Sequence, residues 1–248
     1  AGVRIRTSTA VAACIQETTS TEKAVGHVAT DSMTRTSRFH LTLGSGEALV
    51  ADRVILATGG LKSALIPLIE KWGHTVDTPV PSLFTFHVDD PRLVELSGLT
   101  IPDVTTHVEE TTLREQGPLL ITHWGLSGPA VLKLSAWGAR VLAARDYRFS
   151  LRVNFSPDHN RETARSVLVR AREEMPRRQV SGHSPFAVPS RLWSRLVGAS
   201  GIGETMTWSQ TANVALGLLA EQVTQARFEV TRKSPNKEEF VTCGGVKL

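Results

Sequence analysis

The most constraining feature of the chain is the run Tyr147, Phe149, Leu151, Val153 and Phe155, alternating with Arg148, Ser150, Arg152 and Asn154. A period of two puts one set of side chains on each face of an extended segment, so this run reads as a strand with an apolar inner face and a polar outer one. Such a face needs partners. Phe84, Phe86 and Val88 alternate with Thr85 and His87, Leu119 to Ile121 is a short apolar stretch, and Phe228 and Val230 alternate near the carboxyl end. After Pro157 the period becomes helical. Asp158 or Asn160 caps a helix with Val167, Leu168, Ala171 and Met175 on one face, stopped by Pro176. A second helix follows Pro189 and buries Leu192, Trp193, Leu196 and Val197 before Gly198, and a third spans Ala212 to Gln222.

Toward the amino terminus, Val3 and Ile5, then Val11, Ala13 and Ile15, read as strand, turn, strand, and the polar stretch Thr18 to Ser37 reads as a loop. Phe39, Leu41 and Leu43 lead through Gly44-Ser45-Gly46 to Ala48 and Val50, a hairpin. Val54 to Ala57 is a continuous apolar run of the kind found in strands buried on both faces of a parallel sheet, and it ends in Thr58-Gly59-Gly60. Leu65 to Trp72 reads as a short helix closed by Gly73, and Pro79 and Pro81 mark a boundary. Ser127 is a natural N-cap with Pro129 at the first helical position, for a helix through Val131, Leu134, Trp137 and Leu142 to Ala144. A turn at Ser234-Pro235-Asn236 precedes a last strand at Phe240-Val241.

Composition excludes several classes. The net charge is only +4, the basic residues are spread along the chain, and the one Tyr and five Trp do not interleave with them, which argues against nucleic acid as a partner. Cys14 and Cys243 have neither metal-ligand nor disulfide spacing, and they read as buried free thiols. No metal and no membrane are expected, since no apolar run approaches the ~20 residues of a span. With no signal peptide visible, an intracellular place is expected, cytoplasmic or organellar with the plastid included, and not a secreted one. The start at Ala1 and the stop after Gly244-Gly245-Val246-Lys247-Leu248 both read as cut ends.

Three strings carry candidate chemistry. Ala57-Thr58-Gly59-Gly60 ends an apolar strand, where open α/β sheets bind ligands and glycine lets backbone approach them closely. Thr122-His123-Trp124-Gly125-Leu126-Ser127-Gly128-Pro129 leads into a helix whose amino end favours an anion, such as the N1–C2 edge of a reduced flavin. Within it His123 is either a proton donor or a structural residue bonded to backbone, and in the structural reading Trp124 fills core. Thr242-Cys243-Gly244-Gly245-Val246 puts a second glycine pair after a strand. The carboxylate pairs Asp89-Asp90 and Glu109-Glu110, and the outward Arg148 and Arg152, read as solvated surface.

Together these strings resemble a known family. Ile-Leu-Ala-Thr-Gly-Gly at 55–60, Gly-His-Thr-Val at 73–76, Pro-Val-Pro-Ser-Leu at 79–83, Gly-Pro-Leu-Leu-Ile-Thr-His-Trp-Gly-Leu-Ser-Gly-Pro at 117–129, Leu-Ser-Ala-Trp-Gly-Ala-Arg at 134–140 and Phe-Val-Thr-Cys-Gly-Gly-Val at 240–246 follow in the order of the BaiN/YhiN-like NAD(P)/FAD-dependent oxidoreductases, closest in flavour to plant-type members. The resemblance implies a mixed α+β and α/β fold: a partial glutathione-reductase-like FAD-binding domain at 1–78, a β-barrel-like insert at 79–157, a helical insert subdomain at 158–225, and return strands into the FAD domain at 226–248. It implies FAD as cofactor, NAD(P)H as reductant and a small unsaturated organic substrate. Val11, Thr58, Gly59, Gly60, Gly244 and Gly245 are then expected near FAD, and the His123 to Gly128 loop, with Gly125, Ser127 and Gly128, over the flavin. His123 is the candidate catalytic residue. The Gly-x-Gly-x-x-Gly pyrophosphate loop, the acidic ribose contact and the family's closing segment are absent, and Leu61-Lys62-Ser63-Ala64-Leu65 stands where bacterial relatives carry a glycine-rich loop. The chain therefore reads as a middle section that holds FAD weakly or not at all by itself. A non-catalytic binding module and an inactive truncated copy are the alternatives of different class.

Overall fold

The computed structural model describes residues 2–21, 34–57, 65–234 and 241–247. The chain divides into two compact units, Ala1–Thr78 with Gly244–Leu248, and Pro79–Cys243.

In the first unit, β1 (Val11–Thr21), β2 (Thr34–Leu43) and β3 (Ala48–Ala51) form an antiparallel sheet in that order. The glycine turn closes the second hairpin, with Gly46 at φ 87° and its N–H on the Leu43 carbonyl at 2.9 Å. The polar stretch expected to be loop from Thr18 is instead strand as far as Thr21 and again from Thr34. Two other expectations fail for a common reason. Val3 and Ile5 make no strand, and Val54 to Ala57 is not a buried strand: Ile55 is 90% exposed. An apolar run becomes a central strand only where hydrogen-bonded neighbours flank it, and among the described residues no strand pairs with either segment. The short helix is present as α1 (Ile66–Lys71), ended at Gly73 with φ 88°. Then β4 (Val76–Ser82) runs through Pro79 and Pro81 and pairs with the last strand, Val241–Val246. Proline is tolerated there because a two-stranded sheet consists of edges.

The second unit is built on a closed barrel. Its strands are β5 (Phe86–Val88), β6 (Thr100–Val108), β7 (Arg114–Thr122), β8 (Gly125–Ser127), β9 (Phe149–Asn154) and β10 (Ala226–Lys233), in the order β10-β5-β8-β7-β6-β9 with every neighbour antiparallel. Phe149, Leu151 and Val153 point inward as their alternation requires, and Phe86 meets Phe149 edge to face at 5.1 Å. β6 escapes the period-two reading because a bulge between Ile101 and Val104 shifts its register. Ala226–Lys233 was expected to return toward a nucleotide-binding sheet. It stands in the barrel, with Phe228 opposite Leu151 and Val230 opposite both Phe149 and Val88.

The helix expected from Pro129 to Ala144 is two, α2 (Pro129–Trp137) and α3 (Ala139–Ala144), divided at Gly138. A Cβ at Gly138 would lie 2.6 Å from Leu113 Cδ1, so the break falls where the backbone presses on β-hairpin side chains. Trp137, counted among the helix's apolar residues, is 78% exposed. Ser135 of α2 accepts the Phe84 N–H at 3.0 Å and fastens the helix to the barrel. Between β9 and β10 lie α4 (Arg161–Glu174), α5 (Ser190–Ala199) and α6 (Asn213–Thr224). Asn160 and Thr163 form a reciprocal capping box on α4. All four apolar residues expected on α5 are buried, and the Trp193 indole N–H donates to the Val180 carbonyl at 2.7 Å. One continuous core joins barrel and helices.

A partly buried ion pair sits where the two meet. Arg92 donates from Nε and Nη2 to the two oxygens of Asp90 at 2.8 and 2.7 Å, from Nη1 to Gln222 of α6 at 2.7 Å, and to the Arg227 carbonyl of β10, with its guanidinium 4.1 Å over the Phe228 ring. Asp90, expected on the solvated surface, is part of this knot. Burial by itself would raise its pKa, but the hydrogen bonds and charge of Arg92 prevail and hold the carboxyl below its ordinary range. A carboxyl depressed in the folded state stabilises the fold above its unfolded pKa, about 4, and that stabilisation is lost as pH falls through the folded value. Asp90→Asn is expected to lower unfolding free energy by about 1.5–3 kcal/mol at pH 7, with the difference from the parent shrinking below pH 4, measured by urea unfolding at pH 7 and pH 3. An equal difference at both values would remove the pair from the acid limb.

Candidate functional site

The string from Thr122 to Pro129 is the turn joining β7 to β8 and the entry to α2. Thr122 pairs with Gly125 across the turn, and its hydroxyl receives the Trp124 N–H at 3.3 Å. His123 and Trp124 form the tip. Both are exposed, Trp124 by 51%, so neither is core. The His123 ring makes no hydrogen bond in the structure, which removes the backbone-bonded alternative.

The residues behind the tip are committed to the barrel. Gly125 has φ 141°, and a Cβ there would stand 2.4 Å from both the Phe86 carbonyl oxygen and the Val88 nitrogen. Gly128 has φ 93°, with a Cβ 2.8 Å from the Leu120 nitrogen and 2.9 Å from the Pro118 oxygen. Their missing side chains admit the protein's own backbone, so neither fits as a cradle for flavin. Ser127 does not cap α2: the N-cap is Gly128, and the Ser127 hydroxyl accepts from Thr85 Oγ1 at 2.9 Å. The glycine that lets β8 close the barrel displaced the expected cap by one position.

Sequence reasoning missed His87. It lies on β5 opposite Gly125, beside the hairpin tip. Its Nε2 accepts from Arg232 Nη2 at 3.0 Å, which leaves the proton on Nδ1, facing Thr231 Oγ1 at 3.3 Å. Burial, then the Arg232 charge, pushes its pKa below the ordinary value against an opposing pull from Asp89, so the ring is neutral at pH 7. The alternation of Phe84 to Val88 put His87 on the outer face, but nothing local in sequence points to Arg232.

Among the residues expected at the cofactor, Thr58, Gly59 and Gly60 lie outside the described residues. Val11 is exposed at the start of β1, on a shallow cleft of about 390 Å³ floored by Leu41, Leu43 and Leu49 and rimmed by Arg4 and Arg6. Gly244 and Gly245 lie within β11 (Val241–Val246) rather than after a strand, at φ 115° and 133°, and a Cβ on Gly245 would meet nothing within 4 Å. Val11 and Gly245 thus keep open surface of the kind a nucleotide needs. Cys14 is buried, and burial raises its thiol pKa; Cys243 is partly exposed. Glu109, expected to be solvated, instead takes a hydrogen bond from Arg152 and an ion pair from Arg227 at 3.3 Å, and the Arg152 bond holds its carboxyl below the usual range. Among the described residues no group of three His, Cys, Asp or Glu is placed to hold a metal, and no helix is long and apolar enough to cross a membrane.

The glycines can be tested directly. Gly125→Ala and Gly128→Ala are each expected to destabilise the protein by about 2–4 kcal/mol, since backbone must move and a positive φ must be held by a residue with a Cβ; urea midpoints within experimental error of the parent would show that the barrel does not need them.

Residues 80–241 match the family described as HI0933-like protein barrel and H2TH domain. The chain is 30% identical over 163 residues to the ribosomal RNA dihydrouridine synthase of Escherichia coli, covering 61% of this chain and 38% of that protein. It is 26% identical over 202 residues to the Haemophilus influenzae protein of the same name, covering 78% and 47%, and 25% identical over 211 residues to the 3-dehydro-bile acid delta(4,6)-reductase of Clostridium scindens, covering 82% and 51%. The chain spans about half, or less, of the length of these curated relatives. The family match takes in the whole barrel and its helices, well over half of the sequence, and the chain therefore belongs to the HI0933-like family of FAD-dependent oxidoreductases.

Proposed function

We propose that the chain supplies the barrel, the helices and part of the nucleotide-binding domain of a flavoenzyme that uses NAD(P)H to reduce a carbon–carbon double bond in an unsaturated organic substrate. The observation that carries this is the family match over 80–241, which takes in the barrel and helices together. The relatives' names support the reaction class: a dihydrouridine synthase and a delta(4,6)-reductase both denote saturation of a carbon–carbon double bond. The substrates in those names differ, so the proposal extends to the bond and not to one molecule.

FAD, when bound, supplies the hydride. Val11, Gly244 and Gly245, with Thr58 to Gly60, are the proposed contacts to it. Gly125, Ser127 and Gly128 act beneath the hairpin tip, holding it in shape. At the tip His123 is the proposed proton donor, because its ring is exposed and makes no hydrogen bond to the protein. Trp124 offers an exposed ring for a planar substrate to stack on.

The test uses the product of the complete reading frame that contains this chain. It is expected to purify with FAD, to bleach with NADH or NADPH, and to recover its oxidised spectrum when given an acceptor with a conjugated double bond. His123→Asn is expected to slow that recovery by about 10²–10⁴-fold and to leave bleaching unchanged. A colourless product would sink the flavoenzyme proposal, and recovery at the parent rate would remove His123 from the chemistry.

A further inference from the structure

Register gathers a row of basic side chains on the outside of the barrel. Arg114 of β7 stands opposite His107 of β6, His107 opposite Arg152 of β9, and Arg152 opposite Arg227 of β10. Directly opposed residues share a face about 5 Å apart, and the burial of Thr106, Val108, Leu151 and Val153 makes that face the outer one. A parallel row, Gln116, Thr105 and Asn154, runs beside it. The loop Pro157 to Asn160 and the end of α6 wall these rows into a cleft of about 580 Å³.

The two ends of the basic row differ. Glu109 bridges Arg152 and Arg227 and relieves their repulsion. No such partner reaches Arg114, whose guanidinium makes no ion pair or hydrogen bond although it lines the cleft. Thr105 is 6% exposed and lines the same cleft, yet its hydroxyl has no hydrogen-bond partner, while the adjacent Thr106 hydroxyl donates to the Glu115 carbonyl. The buried side-chain polar atoms without a partner among the described residues are the Trp72 and Trp208 indole nitrogens, so the Thr105 hydroxyl is the part of that residue open to the cleft, its donor unspent on the protein. The amino end of α4 reaches the same wall through Asn160, but its capping box satisfies the Thr163 N–H and Glu162 occupies the first turn, so this end is already capped. Ser156 Oγ meets His159 Nδ1 at 2.8 Å, and His159 with Asp158, the single acid of the lining, makes the remaining wall.

We propose that this cleft binds a phosphoryl group, with Arg114 and the Thr105 hydroxyl as its donors. A guanidinium and a hydroxyl are donors that suit an oxyanion, and the volume exceeds a bare phosphate, which leaves room for an attached nucleoside. The same chemistry is offered by a free nucleotide and by one phosphate of an RNA strand. The site is separate from the hairpin tip and does not depend on the reductase proposal.

The full chain is titrated with a labelled single-stranded oligoribonucleotide, followed by fluorescence anisotropy at two salt concentrations, and with uridine monophosphate and inorganic phosphate as competitors. Arg114→Gln is expected to weaken binding by about tenfold and to reduce the salt slope by about one. Thr105→Val is expected to weaken it by about two- to tenfold. Arg170→Gln, on α4 outside the cleft, serves as the charge control and is expected to match the parent. Competition by the mononucleotide at concentrations near those of the strand assigns a free nucleotide, and binding far tighter for the strand assigns RNA. Parent affinity in both cleft variants, loss equal to that of the Arg170 control, or no binding of any probe overturns the site. Circular dichroism identical to the parent's shows that the exposed Arg114 change has not unfolded the chain, and flavin absorbance is not part of the readout.

Discussion

Closure of the barrel depends on one strand that arrives late. β10 inserts between β5 and β9, and without its two ladders both would be open edges presenting unpaired backbone groups. The inner residues Ala226, Phe228 and Val230 are what make that insertion favourable, since they complete a core already lined by Phe86, Phe149, Leu151 and Val153. The Asp90–Arg92 pair follows from the same event. Arg92 finds a carbonyl on β10, a ring on Phe228 and an amide on α6 only when the strand is in place. The helices, the knot and the outer cleft are all consequences of a ring that closes between residues far apart in sequence.

That dependence explains what was legible. β9 and α5 could be read directly because each satisfies its period within a few residues, and every apolar position expected on α5 is buried. The barrel as a class followed from the resemblance. Membership of β10 did not, because alternation shows which face is apolar but not which sheet receives it. β6 was hidden by its bulge, and Val54 to Ala57 was misread because its composition describes a strand with neighbours that the described residues do not provide. The family string at the hairpin was visible while the reason for its glycines was not. Gly125 and Gly128 are explained by backbone from β5 and β7, which lie elsewhere in the chain.

The site residues divide in the same manner. His123 and Trp124 were readable as a pair because they are adjacent, and the turn presents both. His87 was not, since its state is set by Arg232 across a ladder. Basic residues counted along the sequence looked dispersed; Arg114, His107, Arg152 and Arg227 are dispersed there, and only the register of four strands makes them a row.

One consequence of the topology concerns how such a protein can change over generations. The entire helical segment leaves the barrel after Asn154 and re-enters at Ala226, and Ala226 faces Val153 on the neighbouring strand. The exit and entrance of a long excursion are therefore a single ladder step apart, held by the barrel and not by the helices. Additions or losses in the loops of that excursion leave the ladders of the ring in place so long as the two anchors keep their pairing and the helix faces that share its core are kept. The ring can thus be inherited with little change while the helical excursion, and with it one wall of the outer cleft, is free to be remodelled for new ligands.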